Sequence, residues 1–238
     1  GMGRAPKIFF QNQDDLKVFT DAKILPRHKA VMLHGSGVNV EKFTPTPLPE
    51  EPGFLCISRL IRDKGVVEYL EAARKLHQRR PEVKCVLVGP FDTNPSAIQP
   101  NELQGYIDDG SVEYVGEQKD VQPFLRACTA YVLPSYHEGM SNVLLEAAAI
   151  GRPVITSNIH GCMEAVAPEM SGLLCDARDQ DSLYDQMLRM LCFSRDKRRE
   201  MGLLAREYVT EKFDKQNVVA MTVDAIESAM HTSLIKGK

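Results

Sequence analysis

Residues 130–158 read AYVLPSYHEGMSNVLLEAAAIGRPVITSN, and this stretch decides the fold. It begins with a β-rich apolar run, Ala130–Ser135, which ends at a polar loop. A helical pattern over Asn142–Ile150 follows, and it stops at Gly151, the residue type expected just beyond a helix C-terminus. A second apolar run, Pro153–Asn158, completes a strand–helix–strand unit, which predicts two parallel strands joined by a helix.

The same alternation extends to both sides of this unit. Runs that are apolar throughout, such as Val86-Leu87-Val88, suit strands that helices cover on both faces. In Val66–Arg80 the apolar residues recur at steps of three and four, which predicts a helix with one buried stripe. We therefore predict an α/β protein with a Rossmann-like, parallel, doubly wound sheet. The other predicted strands are Phe54–Ser58, Val83–Gly89, Val112–Gly116 and Gly172–Asp176, and the other predicted helices are Val121–Cys128, Asp181–Phe193, Arg195–Phe213 and Lys215–Leu234.

The first fifty residues break the alternation. Lys7–Phe10 is predicted as a strand, Asp14–Thr20 as a short helix and Ala30–His34 as another strand. The following stretch, Pro45–Pro52, holds four prolines, and because proline cannot continue a helix or a sheet it is interpreted as a linker or hinge. The predicted organisation has three parts, which are residues 1–52 as a remnant of another domain with its linker, residues 53–214 as the Rossmann-like domain and residues 215–238 as a terminal helix.

Composition excludes several classes of protein. The 238 residues carry 29 Lys and Arg against 32 Asp and Glu, a net charge of −3, and 43% of them are hydrophobic, so the chain is neither disordered nor collagen-like. The densest cationic run, residues 195–200, is neutralised by its acidic neighbours, so nucleic acid is not an expected partner. No apolar run approaches the length of a membrane-spanning helix, the first residues lack the core of a signal peptide, and Gly1 before Met2 is interpreted as a cloning remnant.

The cysteines and histidines carry no recognisable metal or disulfide pattern. The six cysteines are widely spaced without a CxxC pair, and several lie within apolar runs, where a free thiol behaves as a small buried hydrophobe. This usage indicates a reducing cytoplasm rather than a disulfide framework. The six histidines lack the spacing of metal ligands, so no protein-held zinc site is expected.

Ligands of open α/β sheets bind outside the carboxyl ends of the strands, and the loop after the first strand of the predicted domain is the first candidate. Arg59 and Lys64 lie in this loop, five residues apart. A guanidinium that grips phosphate oxygens bidentately and an ammonium that adds a point charge could converge there on one anion. The alternative is that both are surface charges on a strand–helix loop.

The loop before the predicted helix at residues 142–150 is the second candidate. Glu138 leaves the strand end and Ser141 is a plausible N-cap, so the helix would present free backbone N–H groups to the crevice. Glu146 lies on a helix whose other residues are apolar, and a carboxylate there needs a partner. Two carboxylates at this spacing could each bind a vicinal diol, one on a sugar and one on a ribose. The alternative is a capping Glu with a structural ion pair.

Two further loops are weaker candidates. Residues 117–120 follow a strand and could contact a nucleobase through backbone groups, although a simple turn explains them equally well. Residues 157–164 are polar, contain Gly161 and could close a pocket, while His160 within them is interpreted as structural.

Taken in order, these motifs resemble those of the retaining nucleotide-sugar glycosyltransferases of family 4. The resemblance covers nearly all of the chain and implies the C-terminal half of a GT-B fold, in which two Rossmann-like domains face one cleft. Its matching motifs are Arg59 with Lys64-Gly65, Glu138-Gly139 with Glu146, Gly151-Arg152-Pro153-Val154-Ile155, and the segment His34-Gly35-Ser36-Gly37-Val38-Asn39 with Phe43-Thr44-Pro45, through which such chains enter the C-terminal domain.

The resemblance implies a role for each matched residue. Arg59 and Lys64 would hold the donor diphosphate and stabilise the charge that develops as the nucleoside diphosphate leaves. Glu138 would hydrogen-bond sugar hydroxyls, and Glu146 would bind both hydroxyls of the ribose. The transfer would retain configuration without a protein nucleophile, a metal or a tightly bound cofactor, and a UDP-sugar is the expected donor. The donor would also lie near backbone N–H groups of Gly139, Met140, Ser141, Asn142 and Val143.

The resemblance also implies what the chain lacks. A Gly-rich loop and a His that relatives carry in their acceptor domain cannot be located, and Lys7–Thr20 resembles the last strand and helix of that domain. We therefore expect a donor-binding half that is inactive alone, with a glycan or lipid-linked acceptor held by the missing domain. The expected location is the cytoplasm, with peripheral membrane association of the full-length protein. Residues 215–238 would be a crossover helix with an exposed apolar face, which favours self-association.

Other functional classes are weighed against this one. Gly35-Ser36-Gly37 begins like a dinucleotide fingerprint, but the third Gly is missing and no convincing helix follows, which disfavours a dehydrogenase. The absence of GxxxxGK[ST] argues against a P-loop NTPase. A nucleotide-sugar epimerase and a non-catalytic nucleotide-sugar-binding module remain the alternatives.

Overall fold

A computed structural model describes residues 5–33 and 35–236, with side chains through residue 230. His34, which belongs to the predicted strand at 30–34 and to the family-like segment, lies outside the described residues, as do residues 1–4 with the interpreted cloning remnant and residues 237 and 238. The first described elements are β1 (Ile8–Phe10), α1 (Gln13–Asp21) and β2 (Ala30–Met32), and β1 pairs with β2 in parallel. They share a small core of their own around Phe10, Leu16 and Leu25.

The main body of the molecule is a six-stranded sheet. Its strands are β3 (Gly53–Ile57), β4 (Lys84–Val88), β5 (Glu113–Gly116), β6 (Ala130–Leu133), β7 (Val154–Ser157) and β8 (Gly172–Cys175). They stand in the order β5-β4-β3-β6-β7-β8, and every pair is parallel. The prediction of a Rossmann-like, parallel, doubly wound sheet is therefore confirmed. Because the chain order reverses between β3 and β6, the crevice of this fold lies outside the carboxyl ends of those two strands.

Helices cover both faces of the sheet. They are α2 (Val66–Arg79), α3 (Pro100–Asp108), α4 (Gln122–Ala127), α5 (Asn142–Ala149), α6 (Gln180–Cys192), α7 (Arg195–Phe213) and α8 (Lys215–Lys236). The predicted stripe of α2 is buried, with Tyr69 and Leu76 fully inaccessible. Helices α2, α3 and α6 pack in one core, while α4, α5 and most of the apolar face of α7 pack in the other.

Helix α3 was not predicted from the sequence. It starts at Pro100 after a reciprocal capping arrangement in which the Glu102 carboxylate accepts from the backbone N–H of Gln99 at 2.9 Å. Only Leu103 and Tyr106 of its nine residues are buried, so its apolar periodicity is too weak to announce a helix. Its stability comes instead from the cap and from its first-position proline.

The proline-rich stretch has no helix or strand, as predicted, but it is fastened to the domain that follows. The fully buried Arg152 guanidinium donates to the carbonyl oxygens of Thr46 at 2.8 Å and Pro47 at 3.0 Å. The same guanidinium donates to the carbonyl oxygens of Leu125 at 2.9 Å and Arg126 at 2.8 Å. The guanidinium also donates to the Thr46 hydroxyl at 2.7 Å, so one buried cation ties the proline-rich stretch to the end of α4.

The chain joins the sheet domain and leaves it at neighbouring points. The backbone N–H of Val38 donates to the carbonyl of Phe213 at 2.8 Å, and the N–H of Lys215 donates to the carbonyl of Val38 at 3.0 Å. Helix α8 buries Val218 but carries an exposed apolar surface, as expected. Its large exposed side chains are Val219, Met221, Val223, Ile226 and Met230.

Five of the six cysteines are buried as expected, while Cys192 is exposed, and all six are free thiols. Burial raises the pKa of Cys56 to about 12, consistent with an inert, small apolar role for this thiol. Within the part of the chain that the structure describes, no helix combines the length and the apolarity needed to cross a membrane.

Candidate functional site

The switch point between β3 and β6 brings the two main candidate loops into direct contact. A Cβ atom added to Gly65 would lie 2.0 Å from the carbonyl oxygen of Pro134, so only glycine permits this approach. Gly65 also adopts a φ of +68°, which favours glycine independently. The contact continues where the backbone N–H of Tyr136 donates to the carbonyl of Asp63 at 2.8 Å. Sequence motifs that are about seventy residues apart are thereby joined at one edge of the sheet.

Lys64 and Glu138 form an ion pair at this edge. The Lys64 Nζ donates to Glu138 Oε1 at 2.6 Å, and the two side chains are only 21% and 11% exposed. The pair is thus partly shielded from water, where charge–charge interactions are stronger than at an open surface. The sequence predicted both residues as ligand-binding groups, and the structure brings them together without testing what they bind.

Arg59 lies beside the same edge with a partner that sequence reasoning missed. Its Nη1 atom donates to Asp92 Oδ2 at 2.9 Å. The Arg59 side chain is 56% exposed, and the Asp92 side chain is 17% exposed. Asp92 is held in place because its Oδ1 accepts from the backbone N–H of Asn94 at 2.8 Å, and these bonds lower the pKa of its carboxyl. Asp92 follows β4, so the rule that ligands gather at strand ends could have found it.

Glu146 differs from the other acidic residues of the site because its carboxylate is half-buried and unpaired. No described side chain forms a hydrogen bond or an ion pair with it, and burial raises the pKa of its carboxyl while the more distant Lys42 lowers it. Residue 146 lies about 6 Å along α5 from the first residue of that helix. An ionisable group in this situation is the type of residue that a ligand can satisfy. The sequence left open the alternative of a capping Glu with a structural ion pair. Among the described residues, such an ion pair is formed by Glu138 with Lys64, and none is formed by Glu146.

The start of α5 presents its first backbone N–H groups without a side-chain cap. Ser141 takes the N-cap position that the sequence predicted, but its side chain accepts no hydrogen bond from the helix. Asn142, in the first turn, instead accepts from Ser36 Oγ at 2.8 Å, and the Met140 side chain packs on Gly35. Gly139 and Val143, the other two residues named for this turn, lie in the same loop and first turn, but no contact shows them holding a ligand.

The loop at residues 157–164 lies against the Glu138 loop, which we define as residues 137–141. A Cβ atom on Gly161 would lie 2.1 Å from the carbonyl oxygen of Glu138, and Gly161 has a φ of +88°. His160 is bound from both sides, by Glu164 at Nδ1 and by Asp14 at 3.6 Å from Nε2, and the Glu164 contact raises the pKa of its imidazole. This environment fits the structural interpretation of His160.

The loop at residues 117–120 remains apart from this cluster. No described contact joins it to Arg59, Lys64 or Glu138, although the Phe91 ring after β4 lies edge-on to Tyr114 of β5 with centroids 5.5 Å apart. Among the described residues, no group of three or more His, Cys, Asp or Glu side chains could hold a metal ion.

Comparison with known proteins relates most of the chain to one family. The model of the family described as "Glycosyl transferases group 1" matches residues 51–192. The N,N'-diacetylbacillosaminyl-diphospho-undecaprenol alpha-1,3-N-acetylgalactosaminyltransferase of Campylobacter jejuni is 30% identical over 201 residues, which are 79% of this chain and 51% of that protein. The D-inositol 3-phosphate glycosyltransferase of Paenarthrobacter aurescens is 28% identical over 229 residues, 93% of this chain and 51% of that protein. The chain thus spans about half the length of these curated relatives.

Solved structures share the fold. HepE of Anabaena, solved in complex with UDP, superposes with a TM-score of 0.82 at 18% identity, covering 94% of this chain and 64% of that one. A glycosyltransferase from Rickettsia africae gives a TM-score of 0.81 at 19% identity, covering 94% and 63%. At these identities the likeness establishes the arrangement of strands and helices, while the roles of individual residues need their own argument.

Proposed function

The chain belongs to the glycosyl transferases group 1, and from this premise we propose that it forms the donor-binding part of a transferase that uses a nucleoside-diphosphate sugar. The observation that carries the proposal is the cluster at the β3–β6 switch point. There Arg59 and Lys64 supply two cations while Glu138 supplies a shielded carboxylate. Two cations next to a carboxylate suit a ligand that joins a diphosphate to a polyhydroxylated ring.

The nucleotide end of the donor is assigned to Glu146. Its unpaired carboxylate could accept hydrogen bonds from both ribose hydroxyls, which would repay the cost of keeping it ionised in a half-buried position. We propose a UDP-sugar as donor, supported by HepE of Anabaena, which was solved with UDP and also with UDP-glucose. The backbone N–H groups at the uncapped start of α5 would lie near the sugar and the phosphates.

The proposed reaction retains the configuration of the sugar. The bond between the anomeric carbon and the β-phosphate oxygen breaks, an acceptor oxygen bonds to that carbon from the same face, and the acceptor proton passes to the departing diphosphate. Arg59 and Lys64 would stabilise the negative charge that grows on this leaving group. Glu138 would orient the sugar hydroxyls, and no protein nucleophile or metal is required in this scheme.

In this proposal a second domain of a longer protein binds the acceptor. Because the chain spans about half the length of its relatives, we assign the acceptor, a glycan or a lipid-linked glycan, to a second domain. Support for this class of acceptor comes from the diphospho-undecaprenol-linked substrate in the name of the Campylobacter relative. The proposed location is the cytoplasm, with the full-length protein at the membrane surface, and this polypeptide alone is proposed to bind donor without transferring it.

Titration calorimetry with UDP, GDP and NAD tests the class of ligand. We expect UDP to bind, GDP to bind less tightly and NAD to give no signal. Tight binding of NAD without a response to UDP or GDP would reject the proposal. Donor hydrolysis measured for this polypeptide and for the full-length protein separates a binding module from an enzyme, since only the full-length protein should release the sugar.

A further inference from the structure

The head of helix α1 lies against the Glu138 loop, although the two are more than a hundred residues apart in the chain. Asn12 is only 3% exposed, and its Nδ2 atom donates to the carbonyl oxygen of Glu138 at 3.4 Å. The Gln11 Oε1 atom lies 2.9 Å from the point where a Cβ atom of Gly139 would stand. Asp14 lies 3.6 Å from His160, which belongs to the neighbouring loop. One short segment therefore touches the Glu138 loop and the loop beside it.

The peptide of Glu138 has a second close neighbour. Gly161 packs so closely on the Glu138 carbonyl oxygen that no larger residue fits there. Gly161 is itself fixed, because its backbone N–H donates to Glu164 Oε2 at 2.7 Å. The Glu138 carbonyl oxygen is thus in contact with both Asn12 and Gly161, and displacement of either neighbour would let the peptide move.

The side chain of Asn12 performs two separable tasks. Its Oδ1 atom caps α1 by accepting from the backbone N–H of Asp15 at 2.8 Å. Its Nδ2 atom donates to Asp15 Oδ2 at 3.0 Å and to the Glu138 carbonyl. Serine is an equally good capping residue, but its hydroxyl is too short to keep both contacts. The cap and the contact with the Glu138 loop can therefore be removed independently.

We propose that Asn12 is a positioning residue for Glu138, so that the head of α1 sets the geometry at the sugar end of the donor site. The inference rests on the proposed function of Glu138 as the carboxylate that binds sugar hydroxyls. A shift of the Glu138 backbone moves the carboxylate relative to Lys64, and hydrogen bonds to a charged group weaken steeply as their geometry departs from the optimum. In the proposed function the phosphates contact Lys64 and the ribose contacts Glu146, whereas only the sugar contacts Glu138 itself, so the loss of affinity should be larger for UDP-glucose than for UDP.

Calorimetry with UDP and with UDP-glucose on this 238-residue polypeptide tests the inference. We expect Asn12→Ser to weaken UDP-glucose binding by about 3- to 10-fold, the range of one neutral hydrogen bond, and to weaken UDP binding less than that. Asn12→Asp keeps the cap but places a carboxylate oxygen against the Glu138 carbonyl, so its loss should exceed that of serine. Asp15→Ala is the matched control, because it perturbs the first turn of α1 without removing the contact with Glu138.

The outcomes separate the inference from the function on which it rests. Equal losses for UDP and UDP-glucose in Asn12→Ser, together with a lower melting temperature than Asp15→Ala, would show a merely structural role and overturn it. If Glu138→Gln weakens UDP-glucose selectively while Asn12→Ser does not, the role of Glu138 stands and the role of Asn12 is wrong. If neither variant changes the ratio of the two affinities, both assignments are rejected.

Discussion

Replacement of Glu146 by glutamine gives the sharpest test of the nucleotide site. The substitution keeps the size of the side chain and one acceptor oxygen, but it removes the charge. Because no described residue pairs with Glu146, the substitution removes no hydrogen bond or ion pair from the folded protein. Burial raises the pKa of the Glu146 carboxyl, so its ionised form is disfavoured there. We therefore expect the melting temperature to stay the same or to rise, since the cost of ionising a half-buried group disappears.

The expected loss in affinity follows from the contact that glutamine weakens. A hydrogen bond to a charged group contributes about 1.5–3 kcal/mol, which corresponds to a loss of about 10- to 150-fold in UDP affinity. Against 2′-deoxy-UDP, which lacks one of the two hydroxyls, the same substitution should cost less, because only one hydrogen bond to the carboxylate remains to be weakened. The difference between the two losses measures the coupling of Glu146 with the ribose.

Titration of the wild-type chain and of Glu146→Gln with both nucleotides provides the assay, and the exposed Glu211→Gln on α7 serves as the control. The Glu146 carboxyl is ionised, and accepts hydrogen bonds as a carboxylate, only at a pH above its raised pKa. The wild-type affinity for UDP, relative to the variant, should therefore fall as pH drops through the raised pKa of Glu146. Equal losses for UDP and 2′-deoxy-UDP in the variant would refute the ribose assignment.

Three further expectations concern the phosphate site, the linker and the last helix. Arg59→Ala should weaken UDP by about 10- to 150-fold and leave uridine unchanged in a competition assay, and equal losses would exclude a phosphate role. Arg152→Met should lower the free energy of unfolding by at least about 3 kcal/mol in urea, because several buried carbonyl oxygens lose their donor, and a change under about 1 kcal/mol would contradict this. Ile226→Lys combined with Met230→Lys should abolish concentration-dependent self-association in sedimentation velocity, whereas self-association that persists in the double variant would point to another surface.

The sequence predicted the sheet well because most of its strands are short apolar runs, and β6 and β7 are buried along their whole length. A run such as Val86-Leu87-Val88 is stable only where helices cover both faces of the strand. In the strand–helix–strand unit around α5, Gly151 indicates where the helix ends. Helix α3 escaped because its order depends on capping contacts rather than on periodicity. The proline content of residues 45–52 predicted a linker or hinge but could not reveal its contacts with the distant Arg152, because proline reports only on the local backbone.

The candidate site was predictable at the level of residue types but not of pairings. The strand-end rule selected Arg59, Lys64 and Glu138, and the topology then brought two of them within 2.6 Å of each other. Pairing of Arg59 with Asp92 and contact of Asn12 with Glu138 depend on tertiary geometry that no local pattern contains. The first contact adds a carboxylate beside Arg59, and the second fixes the backbone of Glu138. A search for sequence motifs finds neither.

The carbonyl cage around Arg152 has a practical consequence for engineering. A chimera that joins the sheet domain of one relative to the first domain of another would ordinarily be cut at the proline-rich stretch. Such a cut would place foreign residues at positions 46 and 47, removing the Thr46 hydroxyl that accepts from the buried guanidinium and altering the backbone that presents the two carbonyl oxygens. A graft with its junction at Gly35 or Gly37 carries all the partners of Arg152 with the transplanted domain, so domain exchanges should tolerate that junction better.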